Sequence, residues 1–329
     1  MSSSLLRILH FDKEILLNID ERINLSQALI AATYRQLAIA SNCLLTIYNL
    51  SSILLNEGHF PNIYDVIITP SPILALTSTI DRIIYVYHID QLKICSIPSQ
   101  EQDLTIESFD NQKKIHLCST DDGNVFIGYE SKIFSLTQFH YAFDSTIVKI
   151  SSGKEHVLVL LEDGRLFTWG NGLHGALGLG DLEPCPQPTQ IEALGNDVID
   201  TVAGGWHSLG KHFTSRICID YFVIRRLALL SDGSVMSWGW NNDGSLGLQS
   251  DDEDDNSGVF CEPTLATCIP LGVDCRAISA GARHSAFIGT NDRIWLCGSN
   301  KHGQLGNQSS FAIEKNTRVF CSSWFTVLY

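Results

Sequence analysis

One feature limits what this chain can fold into: a unit that recurs at the same internal spacing. Ser152-Gly153-Lys154-Glu155-His156 leads through Glu162-Asp163-Gly164 to Thr168-Trp169-Gly170 and Gly175-Ala176-Leu177-Gly178. Ala203-Gly204-Gly205-Trp206-His207 leads through Asp232-Gly233 to Ser237-Trp238-Gly239 and Gly244-Ser245-Leu246-Gly247. Ala280-Gly281-Ala282-Arg283-His284 leads through Asn291-Asp292 to Leu296-Cys297-Gly298 and Gly303-Gln304-Leu305-Gly306. A supersecondary unit of this length cannot bury its apolar face alone, so it stacks as one blade or one solenoid turn.

Apolar residues run on both sides of the Asp-Gly, as in Val157 to Leu161 and Leu166 to Trp169, and this pattern is a hairpin. The glycines at Gly170, Gly239 and Gly298 end the returning strand where a backbone turns tightly or a neighbour comes close. Trp169 and Trp238 read as apolar plugs between adjacent sheets, each indole N–H seeking an acceptor. Weaker copies extend the count. With the first glycine of the motif as anchor and the turn about ten residues later, Asp122-Gly123 places an anchor at Gln112, Asp81-Arg82 one at Ser71 and Asn42-Cys43 one at Ala32, so the anchors fall at 32, 71, 112, 153, 204, 281 and 322, which makes seven copies. The last copy stops after Thr326-Val327-Leu328-Tyr329, and the unassigned strand Leu5 to Phe11 supplies its partner. The expected fold is all-β: a seven-bladed β-propeller closed by strands from both termini, a device that leaves no open sheet edge. Residues 1–329 form a single propeller. Clear repeats lie at about 150–200, 201–277 and 278–317, degenerate ones at about 29–68, 69–109 and 110–149, and the last blade combines 318–329 with about 5–20. Asn24 to Ala32 is read as strand, although its Ala and Leu content also suits a short helix.

Composition narrows the function. The 329 residues are 44% hydrophobic and 18% charged, which suits a large core. No apolar run is long enough to cross a bilayer and the start carries no secretory pattern, so an intracellular protein, nuclear or cytosolic, is expected. Ten cysteines show no Cys-x-x-Cys pair and read as reduced thiols. A net charge of −14 opposes broad neutralisation of phosphates, so direct nucleic acid binding is not expected and a basic protein partner is electrostatically easier.

The combination Gly-x-x-His, Asp-Gly, Trp-Gly and Gly-x-Leu-Gly resembles the regulator of chromosome condensation repeat. The resemblance is strongest over about residues 150 to 306. Gly204-Gly205-Trp206-His207-Ser208, Ser237-Trp238-Gly239-Trp240-Asn241 and Ser322-Ser323-Trp324 are most similar to the regulator-of-chromosome-condensation domain-containing protein 1 group. That resemblance implies a seven-bladed propeller. For function it implies a non-catalytic scaffold in a chromatin-linked complex whose partner is a JmjC-domain oxygenase or histones. The alternative it implies is a guanine-nucleotide exchange factor for a small GTPase. A monomeric propeller is expected, with no membrane.

No catalytic residue, cofactor or metal site is expected. Gly170-Asn171-Gly172-Leu173-His174-Gly175 spells a phosphate-cradling motif, but no helix follows it and its glycines are repeat glycines. Asn241 to Gly244 lacks the carboxylates of a calcium loop. His156, His207 and His284 share one repeat position, which favours buried hydrogen bonding over metal ligation. The structural set of the repeat is therefore Gly153, His156, Asp163, Gly164, Trp169, Gly170, Gly204, His207, Asp232, Gly233, Trp238, Gly239, Gly281, His284 and Gly298. Outside it, the run Asp251, Asp252, Glu253, Asp254 and Asp255 marks an expanded loop that either serves solubility or meets a basic partner.

The spacing also exposes an interruption. His156 stands seven residues before Asp163 and His284 seven before Asn291, whereas His207 and Asp232 are 25 apart. Removing Leu209 to Arg226 restores the seven and joins Ser208 to Leu227-Ala228-Leu229-Leu230. The insertion 209–226 reads as an in-frame translated intron. The functional alternative is a protruding wedge carrying Lys211, His212, Tyr221, Phe222, Arg225 and Arg226. Sequencing the spliced transcript separates the two: the intron reading predicts reads that lack the codons of Leu209 to Arg226, and their presence in every read defeats it.

Overall fold

The computed structural model describes residues 5–10, 13–18, 28–32, 36–49, 62–78, 83–88, 92–97, 100–104, 110, 113–135, 140–212, 234–248, 258–270, 273–322 and 325–329. Their strands form seven four-stranded antiparallel sheets. Blade 1 runs from the axis outward as Leu29–Ala32, Gln36–Ser41, Leu44–Asn49 and Asn62–Ile68. Blade 2 holds Ile73–Ser78, Ile83–His88, Leu92–Ile97 and Gln100–Leu104. Blade 3 holds Ile115–Ser119, Val125–Tyr129, Lys132–Ser135 and His140–Ala142. Blade 4 holds Ile147–Ser152, His156–Leu161, Leu166–Gly170 and Cys185–Gln190. Blade 5 holds Val198–Ala203, His207–His212, Val235–Trp240 and Val259–Leu265. Blade 6 holds Cys275–Ala280, His284–Gly289, Arg293–Gly298 and Ser310–Ala312.

Blade 7 is made from both ends of the sequence. Val319–Cys321 and Thr326–Leu328 are its inner strands, and Leu5–His10 and Lys13–Asn18 its outer ones. The seam between the two ends pairs Arg7 with Leu328, Ile8 with Val327 and Leu9 with Thr326.

The second strands of blades 4 and 6 are buried along their whole length, which explains why they read as unbroken apolar runs. Alternate residues point to opposite faces. In the second strand of blade 4, Val157, Val159 and Leu161 pack against blade 3, while Leu158 and Leu160 pack against blade 5. Blade 1 divides likewise: Leu37 and Ile39 meet Phe325 and Val327 of blade 7, and Ala38 and Ala40 meet blade 2. Further apolar clusters join blades 2 and 3, 5 and 6, and 6 and 7, so the ring closes through contacts between neighbours.

Trp169 and Trp238 lie in these junctions. Trp169 is 4% exposed and sits edge-on to Phe126 of blade 3 at 5.5 Å. Trp238 is fully buried against blade 4, and its Nε1–H donates to the Ala176 carbonyl at 2.9 Å. At the same strand position in blade 6 stands Cys297, opposite Ser285 as Trp238 is opposite Ser208. Its thiol lies 3.5 Å from the Ser245 carbonyl, the repeat equivalent of Ala176. The volume an indole would fill is taken up by a second thiol. A Cβ on Gly247 would stand 2.6 Å from Cys268 Sγ and 3.3 Å from Cys297 Sγ, just as one on Gly178 would stand 2.7 Å from Trp238 Nε1. The space beside Gly247 is thus filled by two cysteines from different segments, in a junction that also buries Trp295.

Two readings from spacing shift. Asp122-Gly123 does not connect the second and third strands of its blade. It closes the inner hairpin, with Gly123 at φ 90 and its N–H on the Thr120 carbonyl at 3.1 Å. The second-to-third turn there falls at Glu130-Ser131, with Glu130 at φ 52. Thr120 therefore occupies the anchor position, its N–H bonding Asn124 as the N–H of Gly153 bonds His156. The anchor at Gln112 is out of phase because Asp-Gly marks a tight turn without saying which of a blade's turns it makes. Residues 81 and 82, which set the anchor at Ser71, lie outside the described residues between the inner and second strands of blade 2.

The second shift concerns the interruption. The strand that spacing breaks after Ser208 runs on through Leu209, Gly210, Lys211 and His212, pairing Leu209 with Ser237 and Lys211 with Val235. Leu209 is fully buried, and a Cβ on Gly210 would stand 3.3 Å from the Trp238 ring, so the segment meets the packing needs of this position itself. Leu227 to Leu230, together with Asp232 and Gly233, lie outside the described residues. Of the Asn24 to Ala32 segment, Leu29–Ala32 is strand as expected, and residues 24–27 lie outside the described residues.

Trp238→Ala is expected to lower unfolding free energy by about 3 to 5 kcal/mol, because it empties a packed junction and removes the indole hydrogen bond. Urea unfolding followed by circular dichroism measures this. A loss of under about 1 kcal/mol would contradict the assignment of this side chain as a junction plug.

Candidate functional site

The repeated histidines serve the junctions. His156 Nε2 lies 2.9 Å from Ser208 Oγ of blade 5, His207 Nε2 lies 2.8 Å from Ser285 Oγ of blade 6, and His284 Nε2 lies 3.0 Å from Thr326 Oγ1 of blade 7. Ser208 Oγ–H donates to the Ala176 carbonyl at 3.0 Å and Thr326 Oγ1–H to the Gln304 carbonyl at 2.7 Å. With those hydroxyl protons committed, the Nε2–H of His156 and of His284 is assigned as the donor. Burial pushes His156 down to about 4, and His207 and His284 down to about 3. The rings are therefore neutral at pH 7. Gly153, Gly204 and Gly281 cap them, since a Cβ at any of the three would collide with its own histidine ring and with the carbonyl of the next blade. Gly170, Gly239 and Gly298 hold φ of 121, 106 and 106, and lie against the backbone just before each histidine. Asp163 and Gly164 form the outer turn of blade 4, where Asp163 pairs with Arg165, whose guanidinium also reaches Asp144 at 2.5 Å. Among the described residues no three His, Cys, Asp or Glu side chains gather as metal ligands.

The inner strands of the seven blades line an axial channel of about 290 Å³. Its hydroxyls link neighbouring blades. Ser152 Oγ donates to the Ser119 carbonyl at 2.7 Å, Ser78 Oγ to the Ala32 carbonyl at 2.9 Å, and Ser279 Oγ accepts from Cys321 N at 2.8 Å. Asp121 and Lys154 are the charged residues among its lining. Nothing in this wall pairs a nucleophile with a base.

A different group of side chains gathers on the rim where the loops after the inner strands and after the third strands emerge. Glu155, Trp206 and Arg283 occupy the same repeat position, immediately before the histidines of blades 4, 5 and 6. Trp206 meets Trp240, the last residue of the third strand of blade 5, edge to face at 5.2 Å and 87°. His174 completes the group at 5.8 Å from Trp206 and 5.7 Å from Trp240. It is exposed and held at φ 73, a conformation that non-glycine residues rarely adopt. Lys154 Nζ lies 4.0 Å from the centroid of the Trp206 ring, and the Arg283 guanidinium lies 4.5 Å from that of Trp240. Arg283 Nε meets Asp243 Oδ2 at 2.7 Å, and Asn171 Nδ2 donates to Glu155 Oε2 at 2.6 Å. Leu173, beside His174, is 56% exposed. Large aromatics with arginine, half exposed on a rigid frame, have the composition of a binding hot spot.

The acidic run Asp251 to Asp255, which the sequence offers as a solubility loop or a site for a basic partner, lies outside the described residues. The rim group was not anticipated. Its signal lies in the triplets Gly205-Trp206-His207 and Gly239-Trp240-Asn241, where each tryptophan reads as part of the repeat. Trp238 and Trp240, two residues apart on one strand, have opposite fates, and the sequence alone does not rank them.

Comparison with known proteins places the repeat. The regulator of chromosome condensation (RCC1) repeat matches residues 163–210 and 232–288, and a second form of the same repeat matches 147–176 and 275–304. The first match stops before residue 211 and resumes at 232. The chain is 29% identical over 224 residues to RCC1 domain-containing protein 1 of Mus musculus, covering 55% of each protein. It is 34% identical over 166 residues to the probable E3 ubiquitin-protein ligase HERC3 of Homo sapiens, covering 50% of this chain and 13% of that one. The chain thus spans about half the length of the RCC1 domain-containing protein 1 relative. Among solved structures it superposes on human WBSCR16 with TM-score 0.68 at 13% identity, covering 99% of each chain. It also superposes on Prp20p of Saccharomyces cerevisiae, described with its binding properties to Gsp1p and histones. That match has TM-score 0.65 at 16% identity over 100% of this chain and 92% of that one. At these identities the structural matches establish the fold. No helix among the described residues is long and apolar enough to cross a membrane.

The histidine ladder has a pH signature. A histidine whose folded pKa is depressed stabilises the fold fully above its unfolded value of 6.5, and that stability is lost as pH falls from 6.5 toward the folded value. His156, His207 and His284, with His116 also pushed down to about 4 by burial, each contribute a slope approaching about 1.4 kcal/mol per pH unit in that window. Denaturant titrations from pH 7.5 to 4.5 are expected to show stability falling below pH 6.5, with a shallower fall in His207→Gln. A stability flat across that range would refute neutral burial of the ladder.

Proposed function

We propose that this chain, which carries regulator of chromosome condensation repeats, is a non-catalytic protein-interaction propeller whose docking face is the rim around Trp206 and Trp240. The observation that supports this reading is the contrast between tryptophans. Trp169 and Trp238 fill junctions, whereas Trp206 and Trp240 lie outside the apolar junction clusters and stand half-buried among Lys154, His174 and Arg283. Surface that is not spent on folding and is rich in Trp and Arg serves recognition.

The partner we favour is a chromatin-linked protein, a JmjC-domain oxygenase or a histone, and the compartment is nuclear or cytosolic. Similarity to RCC1 domain-containing protein 1 supports this choice. The acidic run Asp251 to Asp255 is proposed as an auxiliary contact for a basic partner, consistent with the net charge of −14. Guanine-nucleotide exchange on a small GTPase is the second reading, supported by the likeness of fold to Prp20p, whose structure is described with its binding to Gsp1p.

One experiment separates them. The chain and its Trp206→Ala/Trp240→Ala variant are titrated against a JmjC-domain oxygenase, core histones and a panel of nucleotide-loaded small GTPases, with binding and nucleotide release both recorded. Binding of the oxygenase or histones that weakens at least about tenfold in the variant, at an unfolding midpoint close to wild type, is the expected result. Accelerated nucleotide release would favour exchange instead, and partner binding indifferent to both tryptophans would refute the rim.

A further inference from the structure

We propose that the rim recognises a carboxylate of its partner: an acidic peptide segment in which Asp or Glu stands next to an apolar side chain. This inference rests on the rim being the docking face.

Two cations frame Trp206. Lys154 Nζ stands 4.0 Å from its ring centroid and the Arg283 guanidinium 6.0 Å. Both come from loops fixed by buried histidines, Lys154 two residues before His156 and Arg283 immediately before His284, so their backbones are anchored by the junction ladder. The carboxylates nearby are already engaged. Glu155 accepts from Asn171, and Asp243, whose side chain is 15% exposed, meets Arg283 at Nε. The Arg283–Asp243 contact is an ion pair without an aligned hydrogen bond, so the N–H groups of the guanidinium remain for another acceptor. Among the described residues, its two terminal nitrogens and Lys154 Nζ have no carboxylate partner, while the Arg283 side chain is 33% exposed.

The rim therefore presents an ammonium and a guanidinium against one indole. An indole face holds a cation but satisfies few of its hydrogen-bond donors. A carboxylate seated between Lys154 and Arg283 would fill those donors with charge-assisted bonds, whereas an incoming Lys or Arg would meet two like charges. Leu173 and His174 border the same tryptophans and provide the apolar surface for the neighbouring residue of the segment. The molecule as a whole carries −14, and Glu155 and Asp243 share the rim with the two cations, so recognition there works at contact range and not through a net local charge.

The test is fluorescence anisotropy of the full chain with three fluorescein-labelled peptides of equal length: alternating Glu and Leu, alternating Lys and Leu, and alternating Gln and Leu. The Glu peptide is expected to bind most tightly, and Lys154→Gln/Arg283→Gln to weaken it by about tenfold or more while leaving the Gln peptide unchanged. Arg283→Lys, which keeps the charge and loses the fork, is expected to fall between, and thermal unfolding of every variant checks that the fold is retained. Preference for the Lys peptide, or equal binding of the Glu peptide by wild type and double variant, overturns the proposal. If the Glu peptide fails to bind while capture of the protein partner still depends on Trp206 and Trp240, the carboxylate inference falls and the docking face stands. If neither the peptide nor the tryptophan dependence is seen, both fall.

Discussion

The structure depends on a carbonyl that has two customers. Ala176, in the Gly-x-Leu-Gly loop of blade 4, accepts from the hydroxyl of Ser208 and from the indole of Trp238, both on blade 5. The same serine takes the imidazole of His156. A single backbone oxygen thus draws together the histidine of one blade and the serine and tryptophan of the next. Gln304 repeats the hydroxyl part of the arrangement for Thr326 and His284. Polar groups buried this deeply are stable only when all of their bonds are made together. That is why His, Gly, Trp and Gly-x-Leu-Gly recur as a set and not one by one, and why a blade without its neighbour would leave both apolar faces and these acceptors unmet.

How much of this could be read from the residues depends on whether a feature repeats. The seven sheets, their antiparallel order and the blade shared between Leu5–His10 and Thr326–Leu328 follow from periodic apolar runs and an unpaired last strand. Turn phase was less legible. Asp122-Gly123 and Asp163-Gly164 are the same dipeptide, yet one closes an inner hairpin and the other an outer one, because a turn sequence encodes curvature and not its rank in the blade. The interruption near His212 shows the same limit. Leu209 and Gly210 satisfy the burial of the strand as well as the repeat would, and spacing alone favours Leu227 to Leu230. The rim was hidden for a related reason. Trp238 and Trp240 differ in role only because one faces blade 4 and the other the surface, a distinction set by neighbours far away in sequence.

The candidate site consists of what the repeat leaves free. At the position before each histidine the framework tolerates Glu155, Trp206 or Arg283, since that side chain leaves the ring of blades while the backbone beside it is held. Rigid anchoring with a variable outward residue is how a propeller acquires specificity without altering its core. Here the three variable positions, with Trp240 and His174 from the adjoining loops, make a surface that sets aromatic rings among charges of both signs.

The junction between blades 5 and 6 carries a consequence for how such a ring can change. Where Trp238 fills the space beside Gly178, the space beside Gly247 is divided between Cys268 and Cys297, which belong to separate segments. Enlarging either thiol to a bulky residue would collide with the other, and shrinking either would open a void, so the two positions can be exchanged only jointly. The volume is inherited by the pair. In a molecule built from repeats that otherwise vary independently, this is a place where two substitutions must travel together.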